Sequence, residues 1–146
     1  MNHLELLVQR WRSEQSLVLP PAPASDVISA FAAVGGKATA DVIALYGHCG
    51  GMEQMDNSYW RLWPLAEVVR ENSIDDEKGI LFGDYLISSW CYRLRPRNGE
   101  CSAVYLDYFS EEAPIQVAPS MKMFIERLWR NPDEVLEPGW VEGKSV

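Results

Sequence analysis

The feature that most constrains the fold is an Asn-Gly pair between two runs rich in aromatic and β-branched residues. The segment reads ISSWCYRLRPRNGECSAVYLDYF, with the pair at Asn98 and Gly99. Both residue types tolerate the positive φ angles of a type I′ turn, so the segment predicts a β-hairpin. With a two-residue loop, the predicted cross-strand pairs are Arg97 with Glu100, Tyr92 with Tyr105 and Cys91 with Leu106.

In this register both faces of the hairpin carry apolar groups. The register places Cys91, Val104 and Leu106 on one face and Trp90, Tyr92 and Tyr105 on the other. Two interpretations remain open at this point. In the first, helices cover both faces of the hairpin. In the second, one aromatic face is left for a partner, because exposed aromatic residues with a polar rim mark interfaces.

Apolar residues recur at helical spacing in five other segments, and Asn2, Ser25, Thr39 and Ser120 are candidate N-caps. The predicted helices cover residues 2–14, 25–34, 39–46, 64–72 and 120–130. Short alternating runs near Trp60, Ile80 and Ile115 add strands to the hairpin. The sequence therefore predicts a single α+β domain: a mainly antiparallel sheet of about five strands with helices packed against it.

Charge and composition exclude several classes of function. The 146 residues include 13 Lys and Arg against 21 Asp and Glu, a formal net charge of -8. Because phosphate backbones attract Lys and Arg, a chain without a basic run is not expected to bind nucleic acid. A basic protein partner suits this charge better, although such a charge can simply maintain solubility. The absence of a long apolar run or a signal-peptide pattern predicts a cytoplasmic protein that does not bind membranes.

Cysteine and histidine spacing gives no sign of catalysis or of a cofactor. His48 and Cys49 are adjacent, whereas catalytic Cys and His residues meet from distant segments, so a turn that closes a helix is the favoured interpretation. No pair has the spacing of a zinc site, and no glycine-rich phosphate loop is present. We expect no metal, no cofactor and no catalytic residue. Three reduced thiols are expected, because Cys91 and Cys101 lie on opposite faces of the predicted hairpin.

The order of several short motifs resembles the SUKH superfamily, bacterial immunity-type proteins related to a fungal cell-wall assembly regulator. The motifs are LPPAP, SDVISAFAAVGG, ADVIALYGHCGG, WRLWPLAEV, GILFGDYLISSWCYRL, NGECSAVYLD and PSMKMFIERL. Relatives often have Leu-Pro where this chain has Ala38-Thr39, and Asn-Gly-Gly where it has Cys49-Gly50-Gly51. The resemblance implies a domain over residues 19–131, an N-terminal helical extension over 1–18 and a tail over 132–146.

The resemblance also implies a function. Members act largely by binding, without catalytic residues, and many bacterial ones are thought to neutralise partner toxins, often nucleases. An acidic protein would be steered to the basic surface of such a toxin. An intracellular scaffold or regulatory interaction module is the alternative, and a small enzyme is a lesser one. No pattern in the sequence specifies an oligomeric state.

Three acidic groups are candidates for partner binding, because each adjoins an element of the predicted sheet. They are Glu53 and Asp56; Asp75, Asp76 and Glu77; and Asp107, Glu111 and Glu112. At least two groups are expected to converge on one rim around Tyr105, Tyr108 or Phe109. Aromatic anchors surrounded by charge are the usual arrangement of a binding hot spot.

Overall fold

Five strands form one antiparallel sheet in chain order in the computed structural model, which describes residues 1–138. The strands are β1 (Trp60–Leu62), β2 (Ile80–Tyr85), β3 (Trp90–Pro96), β4 (Ser102–Asp107) and β5 (Ile115–Ala118). Within the described residues the helices are α1 (His3–Ser13), α2 (Ala24–Ala33), α3 (Ala40–His48), α4 (Leu65–Glu71), α5 (Met121–Arg130) and α6 (Asp133–Leu136). The predicted α+β fold with a mainly antiparallel sheet is confirmed.

The core lies between helix α5 and one face of the sheet, here called the inner face. Phe124 of α5 contacts the rings of Trp60, Phe82 and Tyr92 at centroid distances of 5.3, 6.0 and 5.7 Å. All four side chains are at most 1% exposed. Tilted and edge-to-face ring pairs of this kind contribute roughly 0.5–1.5 kcal/mol each beyond the burial of their apolar area.

The ends of the predicted helices agree with the structure within one or two residues. Asn2 caps α1 through a reciprocal capping box with Glu5, and the Ser120 hydroxyl accepts a hydrogen bond from the Met123 amide at 3.1 Å. Helix α2 begins at Ala24, after Pro23 rather than after a polar cap. Thr39 holds the N-cap position of α3, but its hydroxyl contacts Asp41 and Ser102 instead of a helix amide.

Both ends of the described chain contribute to this core. The helix predicted as an N-terminal extension buries Leu7, Val8 and Trp11. At the other end, α6 buries Val135 and Leu136, and the Tyr92 hydroxyl donates to the Val135 carbonyl at 2.6 Å. The sequence also predicts that Trp140 of the tail packs against the domain, but Trp140 lies outside the described residues.

The predicted register of the β3–β4 hairpin is wrong by one residue. Tyr92 pairs with Leu106 rather than Tyr105, and Cys91 pairs with Asp107 rather than Leu106. The connection is a longer loop closed by a hydrogen bond from the Arg97 amide to the Cys101 carbonyl. In this loop the Asn98 side chain accepts hydrogen bonds from the Glu100 and Cys101 amides, and neither Asn98 nor Gly99 has a positive φ.

The register shift changes which side chains share a face. Tyr92, Val104 and Leu106 lie together on the inner face, and Cys91 and Tyr105 lie on the opposite, outer face. The apolar side chains are thus sorted to one face, as expected for a sheet with a single covering layer of helices. Helices on both faces are not needed to explain the hairpin.

A side-chain amide continues the sheet where β1 ends. At a bulge in β2 the register shifts between Leu81 and Gly83, beyond the last residue of β1. Asn72 fills this gap: its side chain donates to the Leu81 carbonyl at 2.9 Å and accepts from the Leu81 amide at 2.8 Å. The backbone amide and carbonyl of Leu81 are therefore both hydrogen-bonded on the side of β2 that β1 does not reach.

Candidate functional site

The outer face of the sheet carries a row of polar side chains in direct cross-strand register. Arg61 pairs with Asp84, Asp84 with Cys91, and Cys91 with Asp107, which places one such residue on each of four adjacent strands. Asp84, Cys91 and Asp107 are each at most 4% exposed. Buried carboxylates require partners, so the bonds of this row determine which of its groups are available to a ligand.

Arg93 links two of the predicted acidic groups. Its Nε donates to Asp107 at 2.7 Å, and its Nη1 donates to Asp76 at 3.2 Å and to the Gly79 carbonyl at 2.8 Å. Asp107 also accepts a hydrogen bond from the Phe109 amide at 2.8 Å. The structure therefore brings Asp76 and Asp107 together, but through internal ion pairs rather than on an open rim.

Asp56 also has an internal role in the free chain. Its carboxylate accepts hydrogen bonds from the Trp11 indole at 2.8 Å, the Ser58 amide at 2.8 Å and the Trp60 amide at 3.1 Å. Burial nevertheless raises the pKa of Asp56 above its ordinary value, and these hydrogen bonds oppose that shift. Because Asp56 joins α1 to the start of β1, we assign it to the fold and not to a partner surface.

The thiols of the described chain are free, and two of the three are buried. Burial, reinforced by Asp84 and Asp107, raises the pKa of Cys91 to about 12. Burial raises the pKa of Cys49 to about 11, and its Sγ lies 3.4 Å from the Gly51 carbonyl. His48 is half-buried, with Nδ1 2.9 Å from the Ala44 carbonyl. Neither buried thiol has the lowered pKa of a nucleophilic cysteine.

One end of the sheet exposes a cluster of large apolar side chains, here called the turn patch. Its members and their exposed fractions are Tyr59 48%, Leu86 39%, Ile87 80%, Tyr108 41% and Phe109 55%. The Leu86 amide donates to the Tyr59 carbonyl at 2.9 Å, and a row of ring contacts connects Tyr59, Tyr85, Trp90 and Tyr108. The patch thus joins the β2–β3 turn to the segments before β1 and after β4.

The backbone of the turn patch is strained. Positive φ angles, between +52° and +69°, occur at four members of the patch and at the adjacent Ser88. The four members are Tyr59, Leu86, Ile87 and Phe109. Together with Ser88 they are five of the eight non-glycine residues with positive φ among residues 1–138. For a bulky or β-branched residue such as Ile87 this conformation is a genuine outlier, because Cβ approaches the backbone carbonyl oxygen.

The exposed charges of the segments around the turn patch are acidic, and the neighbouring Arg61 is paired with Glu67 and Asp84. Segments 51–60, 84–92 and 107–118, which form this end of the sheet, contain no Lys or Arg. Their acidic residues are Glu53, Asp56, Asp84, Asp107, Glu111 and Glu112. Of these, Glu53, Glu111 and Glu112 are exposed.

The remaining predicted residues lie elsewhere. Asp75 and Glu77 are exposed, but they precede β2 at the opposite end of the sheet. Tyr105 is half-buried, with the Arg95 guanidinium 4.0 Å above its ring and its hydroxyl 3.2 Å from Gln116. Tyr105 therefore lies away from the turn patch that contains Tyr108 and Phe109.

Sequence reasoning missed Tyr59, Leu86, Ile87, Arg61 and Asp84 as site residues. Asp84 had a usable signal, since a carboxylate inside the apolar run ILFGDYL must find partners when the strand is buried. The left-handed turn at residues 86–88 had none, because neither Leu nor Ile favours that conformation.

No described group of His, Cys, Asp and Glu residues has the arrangement of a metal site. Within residues 1–138, no helix has the length and apolar character needed to cross a bilayer. No family model matches the chain, and no curated protein or solved structure matches it significantly. The resemblance to the SUKH superfamily remains a prediction from the sequence motifs.

Proposed function

We propose that this chain is a non-catalytic protein-binding domain of the SUKH immunity type, which neutralises a cognate bacterial toxin by direct binding through the turn patch. The observation that carries the proposal is the coincidence of exposed apolar side chains, left-handed backbone and exposed acidic residues at one end of the sheet. Strained backbone is retained where the surrounding structure holds a functional surface in place.

The turn patch has the composition of a binding hot spot. Phe109, Tyr108 and Tyr59 supply aromatic area, and Ile87 is the most exposed apolar side chain of the patch. Aromatic anchors of this kind provide most of the binding free energy of an interface, whereas the surrounding charges mainly set the association rate.

The charge around the patch indicates a basic partner surface. Glu53, Glu111 and Glu112 surround the apolar side chains, and the three segments of this end contain no Lys or Arg. Nuclease toxins fit this requirement, because a surface that attracts phosphate backbones is basic. The toxin domain would be neutralised by occlusion of that surface.

The test uses the protein encoded next to this chain, expressed as a toxin domain with and without this chain in the same cell. Protection from growth arrest, together with one tight complex of the purified proteins, is the expected result. Absence of both would overturn the immunity proposal. Weak binding to several unrelated basic proteins would instead favour the scaffold alternative.

Variants of the complex locate the surface. Phe109→Ala should weaken binding by about 2 kcal/mol or more, whereas Ile74→Ala, an exposed apolar residue at the opposite end of the sheet, should bind as the wild type does. Reversal of Glu111 and Glu112 to Lys should lower the association rate and its salt dependence, and Glu100→Lys is the matched control. Equal binding by all of these variants would exclude the turn patch.

A further inference from the structure

Beside the turn patch, a cavity of about 410 Å³ opens between the segment before β1 and the β2–β3 turn. Its lining residues are Glu53, Gln54, Met55, Arg61, Asp84, Ile87 and Ser88. This volume falls within the roughly 300–1,000 Å³ of ligand pockets. We propose that it accepts the cationic side chain of an arginine or lysine from the partner protein, with Asp84 and Glu53 as the carboxylates that receive it.

The argument begins with the bonds of the Asp84 carboxylate. Oδ2 accepts hydrogen bonds from the Trp63 indole at 2.7 Å and from Arg61 at 3.2 Å, and it lies 3.5 Å from the Ser88 hydroxyl. Oδ1 accepts none within residues 1–138, although Asp84 is only 3% exposed. Among the described residues, Trp60 Nε1 is the one fully buried side-chain polar atom without a partner, so Asp84 Oδ1 retains some exposure. Because Asp84 lines the cavity, this oxygen can accept a hydrogen bond from a donor that enters it.

Arg61 does not make the cavity a site for anions. Its Nη1 donates to Glu67 at 2.8 Å and to the Met52 carbonyl at 3.2 Å, and its Nη2 donates to Glu67 and Asp84. Four of the five guanidinium N–H donors are thereby occupied. Among the lining residues, the carboxylates of Glu53 and Asp84 outnumber the single guanidinium of Arg61, so the cavity has a net negative charge.

The cavity also has the apolar wall that a basic side chain requires. Met55 and the strongly exposed Ile87 line it. Arg and Lys side chains pack their methylene stems on apolar surface and direct only the charged end to polar groups. The left-handed turn that exposes Ile87 therefore also builds one wall of the cavity.

This inference rests on the proposed function, because it specifies how the turn patch recognises a basic protein. It differs in its test, which needs no toxin. If the peptide experiment below failed, binding through the apolar turn patch would still be testable. If growth protection failed, the cavity could still bind a cationic side chain.

The probe is the blocked peptide acetyl-Gly-Arg-Gly-amide, titrated into the full ¹⁵N-labelled chain and followed by NMR. Saturable shifts are expected for the Trp63 indole N–H, which donates to Asp84, and for the Ile87 and Ser88 amides. The same peptide with citrulline has a similar shape and no charge, so it should give no saturable shift at the same concentrations. The lysine peptide should shift the same resonances.

Three variants assign the carboxylates. Asp84→Asn should weaken peptide binding about tenfold, and the exposed Glu53→Gln should weaken it about threefold. Glu100→Gln, at the opposite end of the sheet, should leave it unchanged. If Asp84→Asn fails to fold, Glu53→Gln decides alone. Equal binding of the citrulline peptide, wild-type affinity in Glu53→Gln, or no saturable shift with the arginine peptide would each overturn the proposal.

Discussion

On the inner face of the sheet, aromatic rings from β1, β2 and β3 surround Phe124, whereas on the outer face the same strands align charged residues. The inner face contains 5–6 Å ring contacts. The outer face depends on ion pairs such as Arg93 with Asp107 at 2.7 Å. Apolar packing tolerates some change of shape, but a buried charge requires its partner. The comparison predicts that the two faces respond differently to mutation.

The largest effect is expected on the inner face. Phe124→Ala removes the ring that contacts Trp60, Phe82 and Tyr92, so it loses apolar burial and leaves a cavity. We expect the free energy of unfolding to fall by about 4 kcal/mol, measured by urea denaturation. Phe124→Leu keeps most of the volume and should cost clearly less. Equal losses for both variants would contradict this account of the core.

On the outer face, one substitution in the Arg93–Asp107 pair should destabilise the fold more than replacement of both residues. Arg93→Met leaves Asp107 buried without its cation and should lower the free energy of unfolding by about 3 kcal/mol. The double variant Arg93→Met with Asp107→Leu removes both charges and should recover much of that loss. A double variant as unstable as the sum of the two single variants would show that Arg93 and Asp107 contribute independently, which would contradict this account of the outer face.

The turn patch provides a third case, in which substitution should increase stability. Ile87 is 80% exposed and has a φ of +52°, so Ile87→Gly relieves strain and loses little burial. We expect a gain of about 1 kcal/mol in thermal or urea unfolding, together with weaker binding to the partner. Ile74→Gly, with a similarly exposed side chain, is the control for the greater entropy of an unfolded glycine. Destabilisation by Ile87→Gly relative to this control would argue against strain.

The smallest effect at neutral pH concerns the Cys91 thiol, whose pKa is raised to about 12. Because the folded pKa lies above the unfolded value of roughly 8.5, this contribution to stability is complete below that pH and is lost as the pH rises toward 12. Alkylation of the folded chain at pH 8 should modify the partly exposed Cys101 and spare Cys91. In Cys91→Ser the loss of stability at alkaline pH should be smaller, and an unchanged pH profile would contradict the assignment.

Periodicity was sufficient to predict the strands and most helices, because alternation and helical stripes report burial directly. It failed at the β3–β4 loop, where the Asn98 side chain bonds to backbone amides instead of entering a type I′ turn. A one-residue error in register moves the side chains of one strand to the opposite face of the sheet relative to its neighbour. The predicted register therefore paired Cys91 with Leu106 and placed Asp107 away from it, whereas the two residues are cross-strand partners. The register of the β3–β4 hairpin is therefore set by the hydrogen bonds of its loop and not by the hydrophobic pattern.

For the candidate site, the sequence located acidic residues but not their state of burial. Glu53, Glu111 and Glu112 are exposed as a surface role requires, whereas Asp56 and Asp107 are buried with internal donors. Composition cannot separate these cases, because the partners Trp11 and Arg93 are distant in the chain. The left-handed turn that exposes Leu86 and Ile87 was likewise invisible to residue propensities.

The Asn72 side chain has a consequence for how copies of this chain behave at high concentration. Strand edges with unpaired amides and carbonyls recruit strands from other molecules and seed aggregation. Here β1 is three residues long, and the part of β2 beyond it is closed by the Asn72 amide at both Leu81 groups. Along this part of β2 a further strand would have to displace the Asn72 side chain, which protects that stretch of the edge from intermolecular β-pairing.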